Sequence, residues 1–179
     1  MSLQAPFGLT QGMKLEEFDG LDIVEVAPYK YRINNPPKMH PAFDFYVVKI
    51  APVSGLSWIK AIGAEVATNS FGGSLKSAFI DMEGRLRNTY GACEHIDILL
   101  TGSIWDEPQE WMTGLLKEER LLFSQWDATK GSSLTEALAS VFLAANARAA
   151  DSGYISVEYT LTNDAAAERE IASLHDDAL

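Results

Sequence analysis

Residues 43–68 constrain the fold more than any other stretch of the chain. Phe43, Phe45, Val47 and Lys49 alternate with Asp44, Tyr46, Val48 and Ile50, the period of a strand whose two sides meet different surroundings. Pro52, Val53, Ser54 and Gly55 then supply a turn. Leu56 to Thr68 follows as a second strand through Trp58, Ile62 and Val66. Together these segments predict a β-hairpin.

The same pattern recurs. Leu21 to Ala27, Tyr29 to Ile33, Leu121 to Trp126 and Tyr154 to Leu161 all read as strands, with Asp19-Gly20, Asn34 to Pro37 and Asp151 to Gly153 as turns. Helical spacing is clearest over Ser74 to Tyr90, where Leu75, Phe79, Met82, Leu86 and Tyr90 make one apolar stripe. Ser74 is the expected N-cap of that helix, and Gly91 its left-handed C-terminal residue. A short helix is expected over Gly12 to Phe18. Another is expected from Asp106, with Pro108 in its first turn and Gln109 at the capping-box position. Leu134 to Ala150 fits two patterns: a helical stripe through Leu134, Leu138, Val141, Ala145 and Ala149, or a strand from about Ser140 pairing with Tyr154 to Leu161. The reading adopted is a short helix leading into a strand.

Hairpin turns outnumber parallel crossovers, which indicates an α+β fold: an antiparallel β-sheet of hairpins packed with two to four helices. The 179 residues suit a single α+β domain over 1–163, followed by a helical or mobile tail over 164–179. No fixed-period repeat is visible.

Charge narrows the function classes. Lys and Arg total 14 against 25 Asp and Glu, a net charge of −11 with no basic cluster, so no nucleic-acid partner is expected. The single Cys excludes an intrachain disulfide and fits a reducing compartment. No run reaches the length of a membrane span, and residues 1–12 lack a signal-peptide pattern. The expected location is therefore the cytoplasm, or the periplasm if a leader has been trimmed. Sequence leaves the oligomeric state open.

Two segments could carry chemistry. Cys93-Glu94-His95-Ile96-Asp97 reads first as a loop after the helix, with a half-buried Cys and solvated charges; if it is a strand, Cys93, His95 and Asp97 share one face. A Cys beside a cationic His can become a nucleophile, which makes these three weak catalytic candidates. No second Cys or paired His supplies the spacing of a metal site, so no metal and no cofactor are expected. The stretch 103–111 instead concentrates Trp105, Asp106, Glu107, Glu110 and Trp111 around a helix start. Aromatic anchors rimmed by carboxylates suit a basic protein partner. The competing reading buries Trp111 in the core and lays Trp105 over a helix end. Phe71-Gly72-Gly73-Ser74 lacks any nucleotide-loop signature and reads as a turn plus cap. No Gly-x-Ser-x-Gly elbow marks a serine nucleophile.

Phe7-Gly8-Leu9 followed by Gly12-Met13-Lys14-Leu15-Glu16-Glu17 resembles the opening helix of BamE/SmpA-like small α+β domains. The resemblance implies a binding or assembly role rather than catalysis. The lipid-anchoring Cys of those lipoproteins is absent, and Gly20-Leu21-Asp22 stands where Gly-x-Pro commonly follows the helix, so no functional residue carries over. The function expected is a non-enzymatic interaction protein with an acidic surface that engages a protein partner. The alternative is a small hydrolase or thiol-dependent enzyme using Cys93 and His95.

Overall fold

The hairpin forms, but its second strand is shorter than expected: β3 (Phe43–Ala51) turns through 52–54 into β4 (Gly55–Gly63), and Val66–Ala67 leaves it to pair elsewhere. The computed structural model describes residues 2–179. Among these, β1 (Ile23–Ala27), β2 (Lys30–Ile33), β5 (Val66–Ala67), β6 (Glu94–Leu99), β7 (Arg120–Asp127), β8 (Leu138–Ala149) and β9 (Ser152–Leu161) complete one antiparallel sheet. The order is β1-β2-β3-β4-β9-β8-β7-β6, with β5 also pairing β9. Three α-helices, α1 (Gly73–Tyr90), α2 (Trp111–Leu116) and α3 (Asp164–Asp176), make the fold α+β, the class that the hairpin turns indicated. Each run of four neighbouring strands is a meander of consecutive chain, as antiparallel pairing permits.

The chain folds as two compact units. The first holds Met1–Ile62, Leu134–Ser140 and Glu158–Leu179. Here the Phe7 ring packs against Phe43, Tyr46 and Tyr159 at centroid distances of 5.9, 4.5 and 5.5 Å. Phe18, Ile33, Tyr46, Val48 and Leu56 of the same unit are fully or almost fully buried. The N-terminal segment lies directly on the start of β4: Gly12 N donates to Leu56 O at 2.9 Å, and Leu56 N donates to Met13 O at 2.8 Å. That crossing explains Gly55, whose φ is 69° and whose missing Cβ would strike the Gly12 backbone.

Helix α3 is held differently. Its one buried residue is Ala167, so apolar burial contributes little. Polar contacts take over. Glu170 accepts from Val53 N at 2.7 Å and Ser54 N at 2.8 Å, and Asn163 Nδ2 donates to Ser54 O and Leu56 O at 3.0 Å. Lys49, only 7% exposed, pairs with Asp164 at 2.8 Å and with Glu168. Burial alone would lower the Lys49 pKa, but the bonds to Asp164 and Glu168 outweigh it and raise it.

The second unit holds Gly63–Ser133 and Val141–Val157. Its α1 buries Leu75, Phe79, Met82, Leu86 and Tyr90, the stripe read from sequence, each side chain contributing about 1.5–3 kcal/mol. The helix ends at Gly91 as expected, with a positive φ of 78°, but its ψ of −138° lies outside the left-handed helical region. At its start, Gly72 rather than Ser74 is the cap residue, and Ser74 N donates to Thr68 Oγ1 at 3.1 Å. Trp126 is fully buried, and its Nε1 donates to Gly91 O at 3.0 Å.

Two local expectations are corrected. The stretch read as a helix leading into a strand contains no helix; β8 runs through twelve residues from Leu138 to Ala149. Pairing with β9 overrides the helix propensity of its alanines, and burial alternates from Val141 to Ala145 as strand geometry requires. The helix expected over Gly12 to Phe18 shrinks to a single 3-10 turn, Leu15–Phe18. Among the described residues, no helix is long and apolar enough to cross a membrane.

Candidate functional site

Register places the reactive residues. β6 pairs with β7 so that His95 lies opposite Ser124, Ile96 opposite Phe123 and Asp97 opposite Leu122. Alternation then turns His95 toward α1, where its ring meets Phe79 edge-on at 5.8 Å. The Glu83 carboxylate of α1 reaches the same spot. Its Oε2 lies 2.6 Å from His95 Nδ1 and accepts from Ser124 Oγ at 2.7 Å, while Oε1 accepts from Arg87 Nε at 3.0 Å. His95 Nδ1 also lies 3.1 Å from Ser124 Oγ, so its proton is shared between the carboxylate and the hydroxyl. Burial pushes the Glu83 carboxyl up, but the bonds from Ser124, His95 and Arg87 outweigh it and hold the group below the usual carboxylate range.

This geometry orients an imidazole through Nδ1 and leaves Nε2 without a hydrogen-bond partner among the described residues, on a side chain 41% exposed. It does not build a hydrolytic triad. Ser124 is fully buried, and it shares Nδ1 with the carboxylate instead of facing the other ring nitrogen. Cys93 is half-buried just before β6. Burial pushes its thiol pKa up; Arg87 pulls the other way, and Glu83 adds to the rise. Asp97 accepts from Arg120 Nη1 at 3.3 Å, away from the Glu83 cluster. Of the three residues singled out, His95 alone bonds the carboxylate, Cys93 meets the cluster through Ser124, and Asp97 lies apart. No group of three or more His, Cys, Asp and Glu among the described residues is placed to hold a metal ion.

The Trp105–Trp111 segment divides into a buried end and an open end. Trp111 is 5% exposed, with Lys76 Nζ 4.4 Å from its ring centroid and Gly72 against its edge. The Gly72 loop thus seats an indole, and its turn serves packing. Trp105 is half-buried beside Gly114, and Glu110 is half-buried with its Oε2 accepting from Glu107 N at 3.1 Å. The capping pair is therefore Glu107 and Glu110, one residue later than Asp106 and Gln109. Asp106 and Glu107 are exposed.

Sequence reading missed the apolar residues next to those carboxylates. Ile98, Leu100 and Ile104 are 45%, 42% and 72% exposed in one short stretch leading from β6 toward Trp105. On the same side of the sheet as Ile96 and Ile98 lies a groove of about 490 Å³ lined by Leu121, Phe123, Phe142 and Tyr154. The Phe123 and Phe142 rings stand 5.1 Å apart in it. Alternation of Ile96, Ile98 and Leu100 was the signal that could have found this surface.

No protein-family model, curated protein or solved structure matches the chain. The fold defines an α+β class with an antiparallel sheet.

Proposed function

We propose that this is a non-enzymatic interaction protein that engages a protein partner through the surface running from β6 to Trp105. The observation that carries this reading is the exposure of Ile98, Leu100 and Ile104 in the same stretch as the exposed Asp106 and Glu107. Exposed aliphatic side chains rimmed by acids are costly in water and useful against a complementary partner. The net charge of −11 favours a basic one. The resemblance of residues 7–17 to BamE/SmpA-like domains supports a binding role as well. In affinity purification from the source cell, Ile104→Asp combined with Glu107→Lys should lose partners that Ile80→Asp keeps. Ile80 is an equally exposed residue on α1, so identical partner sets for the two variants would reject the surface.

A second reading rests on the 2.6 Å contact between Glu83 and His95 Nδ1, the way a carboxylate orients a histidine base. It makes the protein a small hydrolase or thiol-dependent enzyme using Cys93 and His95. Activated-ester hydrolysis that disappears in His95→Ala or Cys93→Ala would establish it. The interaction reading expects no turnover above buffer.

A further inference from the structure

We infer that β6 is an open sheet edge that accepts an added strand from a protein partner, a segment alternating apolar and basic residues. The inference rests on the proposed interaction surface and specifies how that surface is used.

The two edges of the sheet differ. β1 breaks register between Glu25 and Ala27, and such an irregularity twists an edge away from further pairing. β6 keeps unbroken register with β7 over all six residues from Glu94 to Leu99 and contains no proline and no lysine. Its edge carries charge at Glu94 and Asp97, but no proline, lysine or bulge interrupts it.

Its free backbone groups can be named. Leu100 N donates to Glu119 O at 2.7 Å, so Leu100 faces β7. Antiparallel pairing alternates, which turns Ile98, Ile96 and Glu94 toward β7 as well. The amide and carbonyl groups of His95, Asp97 and Leu99 therefore point outward, where a tenth strand would bond.

The side chains set the pattern of that strand. Ile96 and Ile98 lie on the side of the Phe123 and Phe142 groove, so apolar residues of the added strand belong there. On the opposite side stand His95 and Asp97, and Asp97 is 44% exposed with its one ion pair to Arg120. Arg120 and Lys76 already face Asp97, so the preference for basic residues in the added strand rests on the net charge of −11. A second copy of the chain fits poorly, because two molecules each carrying −11 repel.

The test uses the full chain and a synthetic heptapeptide alternating lysine and valine, with a glutamate–valine heptapeptide as comparison. Amide exchange and chemical shifts are read by NMR. The lysine peptide should protect and shift the amides of His95, Asp97 and Leu99, and the glutamate peptide should bind at least about tenfold more weakly. Asp97→Pro, which removes an outward N–H and spares the β7 ladder, should lose binding; the wild-type exchange pattern decides if that variant unfolds. Binding that perturbs other amides, or no binding by about 1 mM peptide, overturns the edge inference, given that millimolar affinity is only ~4 kcal/mol. Either result leaves the broader partner reading to the affinity purification. Self-association that protects the same three amides in the absence of peptide would replace the basic partner by a second copy.

Discussion

His95 Nδ1 lies 2.6 Å from a Glu83 carboxylate that also binds Ser124 and Arg87. One carboxylate thus ties α1 to β6 and β7. Its pKa is held below its ordinary value of 4.5, so the folded state binds fewer protons than the unfolded one as pH falls. The stabilisation is complete above about pH 4.5 and is lost as pH drops through the folded value. Glu83→Gln should cost about 1–2 kcal/mol at pH 7 and much less at pH 3, by urea unfolding. An equal cost at both pH values would show that the charge is not what ties these elements.

Lys49 makes the converse case. Its pKa is raised above 10.5, so its contribution is whole below that value and disappears as pH rises through the folded one. Lys49→Met should cost about 2 kcal/mol, below the 3–5 of a fully buried broken pair, because Glu168 is 59% exposed. Limited proteolysis should then cut within 164–176 first. Cleavage elsewhere at an unchanged rate would mean that α3 does not depend on Lys49.

Gly72 and Gly73 should part company. At Gly72, φ is 72° and an added Cβ would lie 2.6 Å from Trp111 Cζ3, so Gly72→Ala should cost about 2–3 kcal/mol. Gly73 has no atom within 4 Å of its missing Cβ, and Gly73→Ala should stay within about 0.5 kcal/mol of wild type. Tryptophan fluorescence should shift in the first variant alone.

Cys93 should react slowly with iodoacetamide at pH 7, because burial pushes its thiol up. Glu83 adds to that rise. Glu83→Gln should therefore speed alkylation, by less than the tenfold that about one pKa unit would bring. A rate already above that of free cysteine in the wild type would favour the thiol-enzyme reading.

Much of the architecture was legible because it is periodic. The α1 stripe and a hairpin starting at Phe43 follow from spacing alone, and each of the five stripe residues is buried; the break after Gly63, where Val66 and Ala67 turn to β9, does not. β8 was misread because alanine suits either element locally, and pairing with the adjacent β9 decided the matter. The Glu83 cluster joins residues 12 and 41 positions apart, which no local window captures. Two signals for it did exist. Glu83 sits one turn from both Phe79 and Arg87 on the flank of the buried stripe, and Ser124 is the polar member of the buried series Leu122, Ser124, Trp126. For Trp111 the pattern could not separate anchor from core, and its packing on Gly72 depends on a loop about forty residues earlier.

The bulge in β1 limits what this sheet can build. With register broken at one edge and unbroken at the other, the proposed strand addition is confined to β6. A strand added at β6 ends growth, because β1 offers no matching register for a following subunit. Complexes made this way have one-to-one stoichiometry, and concentration drives saturation, not filament elongation.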